Sequence, residues 1–189
     1  MTQLEPVTVV AHPNIALIKY WGKRNHQHNL PAAGSISVTL RGMSTTTTVA
    51  FDPDLERDVL TLHGTSEGTG SSKTRRVEAF LDRVRERSGV RRFARVTTTN
   101  DFPTGAGLAS SASGFAALAM AASRAAGLKL DRKQLSILAR IGSGSAARSI
   151  FGGYVEMLRG ELDDGQDCFA QQIAGADHWD LRCVVALAA

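Results

Sequence analysis

The decisive stretch of this sequence is NDFPTGAGLASSAS, residues 100–113. Before it, Phe93–Thr99 (FARVTTT) is rich in β-forming residues and predicts a strand, and after it the alanine-rich run Gly114–Ala126 predicts a helix. The small residues between them would let backbone N–H groups approach an anion at the helix N-terminus, where the helix dipole also favours negative charge. Hydroxyls that could cap the helix or contact a phosphate come from Ser110, Ser111 and Ser113. The stretch is either a phosphate-binding turn or an ordinary, well-capped strand–turn–helix.

The composition predicts a single globular domain. The chain has 189 residues, of which 43% are hydrophobic and 21% charged. No apolar run reaches the ~18 residues that a membrane-spanning helix needs, and the N-terminus lacks the pattern of a signal peptide. Cys168 and Cys183 are too few for a disulfide framework and match no metal-binding spacing. We therefore expect a reduced, cytoplasmic protein with no membrane partner.

The basic residues are concentrated between positions 73 and 95, although the net charge is only +4. The spacing of apolar residues predicts that Lys73–Ser88 is a helix whose arginines form a solvated face. A nucleic-acid-binding surface is the alternative, but no aromatic side chains interleave with the arginines to stack on bases. We therefore expect no nucleic-acid partner.

Early strands followed by helices predict an α+β fold. Further strands are expected at Thr8–Ala11, Ser35–Leu40, Thr45–Phe51, Val59–His63 and Tyr154–Leu158. Asp131 is expected to cap a helix over Arg132–Arg140, which is followed by a second Gly/Ser-rich turn at Gly142–Ser149. Surface loops are expected at Gly64–Ser72 and Asp163–Asp167.

Three common motifs are incomplete in this chain. Gly68–Thr74 is similar to a nucleotide-binding P-loop but lacks the glycine before Lys73. Gly142–Ala147 loosely fits a dinucleotide-binding pattern, but it follows a predicted helix rather than a strand. His26 and His28 lie in a polar turn without a third ligand nearby, so we expect no metal site in the chain itself.

Two Gly/Ser-rich turns and a small set of cations remain as the candidate site. Arginine can bind phosphate or carboxylate through two hydrogen bonds, and lysine supplies a point charge. The cations that could together bind a polyanionic small molecule are Lys19, Lys23, Arg76 and Arg148.

Four segments together resemble the mevalonate diphosphate decarboxylases, a family of the GHMP kinase superfamily. They are HPNIALIKYWGKR (12–24), SISVTL (35–40), FPTGAGLASS (102–111) and GSGSAARSIFGG (142–153), in the family's order and spacing. The turn at 103–111 alone is typical of the whole superfamily, whereas Lys19–Lys23 and Gly142–Arg148 are specific to the decarboxylases. The resemblance runs from about Val9 to the last residue.

The resemblance implies a lyase of isoprenoid biosynthesis that converts mevalonate diphosphate and ATP to isopentenyl diphosphate. In that reaction the tertiary 3-hydroxyl is phosphorylated, and loss of phosphate and carbon dioxide then forms the double bond. The cofactors implied are ATP and Mg²⁺, with Mg²⁺ bound mainly through ATP oxygens. As catalytic residues, Lys19 would lie near the reacting hydroxyl and Arg148 would hold the carboxylate until it leaves.

The resemblance also implies two sets of binding residues. Those for the substrate are Tyr20, Trp21, Gly22, Lys23, Arg76, Ser143, Gly144, Ser145, Ala146, Ala147 and Arg148. Those for the ATP phosphates are Pro103, Gly105, Ala106, Gly107, Leu108, Ala109, Ser110 and Ser111.

The implied architecture is the N-terminal lobe of a GHMP kinase-type fold, which shares its fold with a domain of a ribosomal protein. We expect residues 1–180 to form this ATP- and substrate-binding domain, and 181–189 to be the first strand of a C-terminal domain that is absent from this chain. In the family, that second domain carries the aspartate usually assigned as the base for the 3-hydroxyl. We therefore expect the chain alone to be inactive or nearly so, and the family's dimers predict a homodimer.

Two other functions remain open from the sequence. One is a kinase of the same superfamily that phosphorylates mevalonate or its phosphate without decarboxylation. The other is a non-catalytic or RNA-binding module, which only the arginine-rich segment supports.

Overall fold

A computed structural model of the chain describes residues 4–19, 21–103 and 108–185. The strands within these residues are β1 (Val7–Ala11), β2 (Asn14–Ile18), β3 (Lys23–Asn25), β4 (Leu30–Pro31), β5 (Ser35–Thr39), β6 (Thr45–Asp52), β7 (Val59–Leu62), β8 (Thr65–Ser66), β9 (Phe93–Asn100), β10 (Tyr154–Met157) and β11 (Ala170–Ala174). The helices are α1 (Ser72–Ser88), α2 (Ser110–Ala125), α3 (Arg132–Gly142) and a 3₁₀ helix, Gly144–Ile150. The α+β fold predicted from the sequence is confirmed.

A five-stranded sheet in the order β1-β6-β9-β7-β8 forms one layer of the molecule. Its strands pair in antiparallel fashion except β7 and β9, which are parallel. Alternate residues of β6 and β9 are buried, as expected of a sheet with one face towards the core. Helices α1 and α2 cover that face, and their apolar residues share one core cluster with the sheet. The predicted strands and helices of this layer are therefore confirmed, with boundaries shifted by a few residues.

A second, four-stranded sheet in the order β11-β10-β5-β2 is entirely antiparallel. Sequence analysis found β5 and β10 but missed β2 and β11. In β2 the pairing with β5 shifts register between Ala16 and Ile18, which breaks the alternation that identifies a strand. In β11 the residues Gln171 and Gln172 are exposed, so the strand carries no apolar pattern.

Two sequence-based expectations, a loop and a turn, need correction. The loop expected at Gly64–Ser72 contains the short strand β8. The turn expected at Gly142–Ser149 is the end of α3 followed by the 3₁₀ helix. Residues 181–185 carry no strand, and 186–189 lie outside the described residues. The assignment of 181–189 to a further domain stays a prediction.

An ion pair between Arg85 and Asp58 anchors helix α1 on its core-facing side. The buried Asp58 carboxylate accepts two hydrogen bonds from the Arg85 guanidinium, at 3.0 and 2.8 Å, and a third from the backbone N–H of Ala94 at 2.7 Å. Arg85 also contacts Asp82 at 2.6 Å. These contacts tie the C-terminal half of α1 to the start of β9. They also show that Arg85, one of the clustered arginines, stabilises the fold.

Helix α3 is anchored by the buried side chain of Arg140, which is 1% exposed. Its guanidinium donates hydrogen bonds to the backbone oxygens of His28, Gly165 and Cys168. A buried guanidinium needs such acceptors because desolvation is costly. Arg140 thereby fixes the acidic loop, which was predicted correctly at Asp163–Asp167, against α3.

Loss of the Asp58 carboxylate is expected to destabilise the fold. Asp58→Ala leaves the Arg85 charge partly buried and the Ala94 N–H without its acceptor, so we expect a loss of about 3 kcal/mol in the free energy of unfolding. Urea denaturation followed by circular dichroism measures it. The matched control is Arg83→Gln, which removes the exposed 3.1 Å pair with Glu86 and should cost less than about 0.5 kcal/mol. Equal stability of the two variants would contradict the anchoring role of Asp58.

Candidate functional site

The start of α2 is the first part of the candidate site. Ala109 at the N-cap adopts a left-handed conformation (φ 55°, ψ 34°), and no side chain caps the helix. Of the two roles expected for the serine hydroxyls, capping of this helix is not observed, and contact with a phosphate stays a prediction. The Ser113 hydroxyl instead contacts the Thr45 hydroxyl at 2.6 Å in the core. The N–H of Ala112 donates to the Ala109 carbonyl at 2.8 Å, and the positive end of the helix dipole favours an anion at this helix start.

The described members of the proposed ATP-binding set lie around this helix start. Pro103 and Ser111 are exposed, whereas Leu108, Ala109 and Ser110 are half-buried. Three further residues of the set, Gly105, Ala106 and Gly107, lie outside the described residues. The left-handed Ala109 is a strained position for a residue with a Cβ, and such strain is concentrated at ligand-binding sites.

Asp101 fixes the beginning of the turn. Its carboxylate accepts hydrogen bonds from the backbone N–H and the hydroxyl of Ser44, both at 2.7 Å. Its own N–H donates to the Ser44 carbonyl at 3.1 Å. The hydrogen bonds from Ser44, led by the backbone one, lower the pKa of Asp101 below its ordinary value. The turn therefore starts from a fixed point on the loop before β6.

A first cavity of about 210 Å³ opens between the five-stranded sheet, α1 and the start of α2. One part of its lining is apolar and comes from Leu60, Leu62, Val77, Val96, Phe115 and Leu118. The other part is polar and comes from Thr45, Thr47, His63, Lys73, Arg76, Thr98, Asn100, Ser110 and Ser111. Apolar walls beside a few converging polar groups are typical of sites for small organic ligands. The apolar part suits a nucleobase, and the polar part suits ribose and phosphates.

A second cavity of about 680 Å³ lies on the other side of Arg76, between α1 and the end of α3. It brings together four of the proposed substrate-binding residues, Lys23, Arg76, Ser143 and Gly144. The Lys23 ammonium donates to the side-chain oxygen of Asn29 at 2.6 Å. Lysine, arginine and small residues in one concave site can bind a diphosphate.

Arg148 is held in a buried polar cluster and is only 4% exposed. Its guanidinium donates to the side-chain oxygen of Asn14 at 3.3 Å and to the hydroxyl of Ser35 at 2.7 Å. The Asn14 amide donates in turn to the Ser149 hydroxyl at 2.8 Å and to the Ser145 carbonyl at 3.0 Å. The cluster fixes the direction of the guanidinium before any ligand is bound.

Other proposed substrate-binding residues, and the proposed catalytic residue Lys19, lie elsewhere. Ala146 and Ala147 are fully buried in the two core clusters, so they could reach a ligand only through their backbone. Lys19 is exposed, and its ammonium lies 5.2 Å from the ring centroid of Trp21, which is 80% exposed. Gly22 takes a positive φ of 78°, and its carbonyl accepts a hydrogen bond from the N–H of Ala32.

Some predicted site residues do not line either cavity, and some residues of the site were not predicted from the sequence. Among the described residues, Lys19, Trp21 and Arg148 do not line either cavity, and Tyr20 lies outside the part of the chain that is described. Sequence reasoning missed the residues that hold Arg148, namely Asn14 and Ser35. It also missed polar lining residues of the first cavity, among them His63, Lys73 and Asn100. Asn14 and Ser35 are buried polar residues within strands, a signal that becomes visible only once the strands are placed.

Neither a metal cluster nor a membrane helix occurs in the described part of the chain. Residues 4–19, 21–103 and 108–185 contain no group of three or more His, Cys, Asp or Glu side chains that could hold a metal ion. None of their helices is both long and apolar enough to cross a membrane.

Comparison with known proteins connects this chain to one family. Residues 11–170 match the model of the diphosphomevalonate decarboxylase-like N-terminal domain. Diphosphomevalonate decarboxylase from Eremothecium gossypii is 43% identical over 94% of this chain, and the human protein of that name is 42% identical over 96%. Each alignment covers 48% of the relative. The chain therefore spans about half the length of the curated relatives that it matches.

Solved structures show the same likeness. Mevalonate diphosphate decarboxylase from Staphylococcus aureus superposes with a TM-score of 0.85 at 42% identity, covering 92% of this chain and 51% of that one. The enzyme of that name from Enterococcus faecalis gives a TM-score of 0.83 at 48% identity, covering 89% and 51%. A structure of MDDEF in complex with MVAPP, AMPPCP and magnesium gives 0.82 at 48% identity, covering 89% and 50%.

Removal of the Ser44 hydroxyl is expected to raise the pKa of Asp101 towards its ordinary value of 3.8. Because the folded-state pKa is lowered, the stability that Asp101 contributes is present above the ordinary value and is lost as the pH falls through the lowered one. Ser44→Ala should therefore reduce this pH dependence. NMR titration of the Asp101 carboxyl carbon measures the pKa directly. The control Ser66→Ala, an exposed serine in β8, should leave it unchanged, and an unchanged value in Ser44→Ala would contradict the assignment.

Proposed function

Since the chain belongs to the family of diphosphomevalonate decarboxylase-like N-terminal domains, we propose that it is the ATP- and substrate-binding part of a diphosphomevalonate decarboxylase. The observation that carries this proposal is the pair of cavities that meet at Arg76 beside the uncapped start of α2. A nucleotide in the first cavity and a diphosphate in the second would place two polyanions side by side. The chain supplies cations and helix N–H groups at that meeting point.

The first cavity is the proposed site of ATP. Its apolar residues would hold the base, while Ser110, Ser111 and the first turn of α2 would bind the phosphates. The turn Pro103–Ser111 supplies the remaining phosphate contacts in this proposal. A related structure contains AMPPCP and magnesium, which supports ATP and Mg²⁺ for the family. ATP would supply the phosphoryl group for the tertiary 3-hydroxyl of the substrate, with Mg²⁺ held mainly by its oxygens.

The second cavity is the proposed site of the substrate's diphosphate. Lys23 and Arg76 would neutralise it, and Ser143 and Gly144 would contact it through hydroxyl and backbone groups. MVAPP is present in solved relatives, which supports mevalonate diphosphate as the substrate. Contacts from Tyr20, Trp21, Gly22, Ser145, Ala146 and Ala147 are carried over from the family's motifs and belong to the same proposal.

Arg148 and Lys19 are the proposed catalytic residues. A guanidinium already held by Asn14 and Ser35 loses little freedom when it binds a carboxylate, so it can orient this group until carbon dioxide leaves. Lys19 would lie near the 3-hydroxyl and stabilise the negative charge that develops there. Loss of carbon dioxide and phosphate then yields isopentenyl diphosphate.

Two further properties are proposed from the same resemblance. The protein would form a homodimer, and it would act in the cytoplasm without a nucleic-acid or membrane partner. Analytical ultracentrifugation tests the first property, and microscopy of a tagged protein in its own cells tests the second.

Binding of both ligands is the direct test of the proposed function. Isothermal titration calorimetry of the 189-residue chain should show saturable binding of mevalonate diphosphate and of AMPPCP with Mg²⁺. Absence of binding of mevalonate diphosphate would overturn the proposal. If the chain turns over, formation of ADP and a phosphorylated product without release of phosphate or carbon dioxide would favour the kinase alternative.

Arg148→Gln is expected to weaken binding of mevalonate diphosphate more than binding of isopentenyl diphosphate. Loss of a charged hydrogen-bond partner is typically worth ~1.5–3 kcal/mol, so affinity for mevalonate diphosphate should fall by about tenfold or more. Isopentenyl diphosphate lacks the carboxylate, so its affinity should change little. Calorimetry with both ligands measures this difference, and Arg124→Gln, at an exposed position on α2, is the control. An equal loss for both ligands would contradict a carboxylate-binding role.

A further inference from the structure

Arg76 occupies the boundary between the two cavities. Of the described residues that line them, it is the one common to both. Its side chain extends from α1, which forms a wall of each cavity, and it is exposed. An exposed arginine normally samples many rotamers, and a ligand that binds it must restrict them. Contacts with two other helices restrict the Arg76 guanidinium.

Two contacts are responsible for this restriction. The guanidinium carbon lies 4.9 Å from the ring centroid of Phe115 on α2. One guanidinium nitrogen also donates to the backbone oxygen of Gly142, at the end of α3, at 3.2 Å. A guanidinium over an aromatic face is attracted by the ring quadrupole. Helices α2 and α3 thus each contribute one contact to a side chain of α1.

The Phe115 ring is itself fixed. It is 8% exposed and meets the Phe80 ring edge to face, with centroids 5.7 Å apart and an interplanar angle of 63°. Gly142 also lies against this ring, and a Cβ at Gly142 would overlap it. The lack of a side chain at Gly142 is therefore what leaves room for the ring beneath the guanidinium.

We propose that Phe115 and Gly142 are positioning residues that hold Arg76 between the two cavities, ready to bind the substrate's diphosphate. This inference rests on the proposed function, because it assigns Arg76 to that ligand. It adds that two residues without a polar side chain contribute to the affinity for a diphosphate. Their effect is transmitted through Arg76, so it should disappear when Arg76 is absent.

A double-mutant cycle on the full chain tests the inference. Calorimetry with mevalonate diphosphate compares the wild-type chain, Phe115→Leu, Arg76→Gln and the double variant. Because a cation–π contact at an exposed site is worth ~0.5–1 kcal/mol, Phe115→Leu should weaken binding by about two- to fivefold. In the Arg76→Gln background the same change should have no further effect. Arg75→Gln, at the adjacent exposed position of α1, is the control and should bind as the wild type does.

The cycle separates positioning from packing. A loss of affinity that persists unchanged in the Arg76→Gln background would show that Phe115 acts only through the core, and it would overturn the inference. Unchanged affinity in Phe115→Leu would do the same. If Phe115→Leu does not fold, the cycle is run with Gly142→Ala, whose added Cβ displaces the Phe115 ring. The same two outcomes would then overturn the inference. If the wild-type chain binds no mevalonate diphosphate, the proposed function fails and this inference fails with it.

Discussion

The close packing of helix α2 against the five-stranded sheet is the constraint on which the rest of the structure depends. The face of α2 towards the core consists mainly of alanine, and Ala116, Ala117 and Ala121 are completely buried. Small side chains let the helix approach the sheet closely, and a larger side chain there would typically cost ~1–3 kcal/mol in strain. This packing also fixes where the helix begins. The start of α2 at Ser110 lies beside the first cavity because the packing of the alanine face against the sheet fixes the position of the helix.

The candidate site includes buried polar side chains, and burying such groups costs free energy unless each has a hydrogen-bond partner. Arg148, Asn14 and Ser35 come from the 3₁₀ helix and from strands β2 and β5. Inside a protein an unpaired guanidinium or amide loses its hydration without compensation. The cluster therefore stabilises one arrangement of these three elements and directs the guanidinium at the same time. The same interaction supports the fold and the proposed chemistry.

Helices α1, α2 and α3 each contribute a residue to the boundary between the two cavities. Arg76 belongs to α1, Phe115 to α2 and Gly142 to α3. Movement of any one helix would therefore alter the position of a cation that both cavities share. Helix α1 is restrained in turn by the Asp58–Arg85 pair, whose carboxylate also accepts from the start of β9. The ion pair that holds α1 in place therefore also helps to fix the position of Arg76 between the cavities.

The sequence by itself determined the features that local signals encode. Runs of β-forming residues predicted β6 and β9, and the capping box of Asp131 and Gln134 marks the start of α3 where it was expected. The run from residue 100 to 113 predicted the strand–turn–helix, and the Gly/Ser-rich segments and their cations were identified as the candidate site. These features depend on neighbouring residues, so they are visible without the fold.

Only the tertiary structure decided which of these residues meet. Asn14 and Arg148 are 134 positions apart in the sequence, and a one-residue change in the pairing of β2 would turn Asn14 to the opposite face of its sheet. The hydroxyl of Ser113 could have capped α2, but helix packing turned it to Thr45 instead. Arg76 could have been one more solvated arginine, and the position of Phe115 placed it between the cavities. Local sequence specifies a residue's chemistry, whereas strand register and helix packing bring distant residues together, because those contacts depend on the positions of other elements.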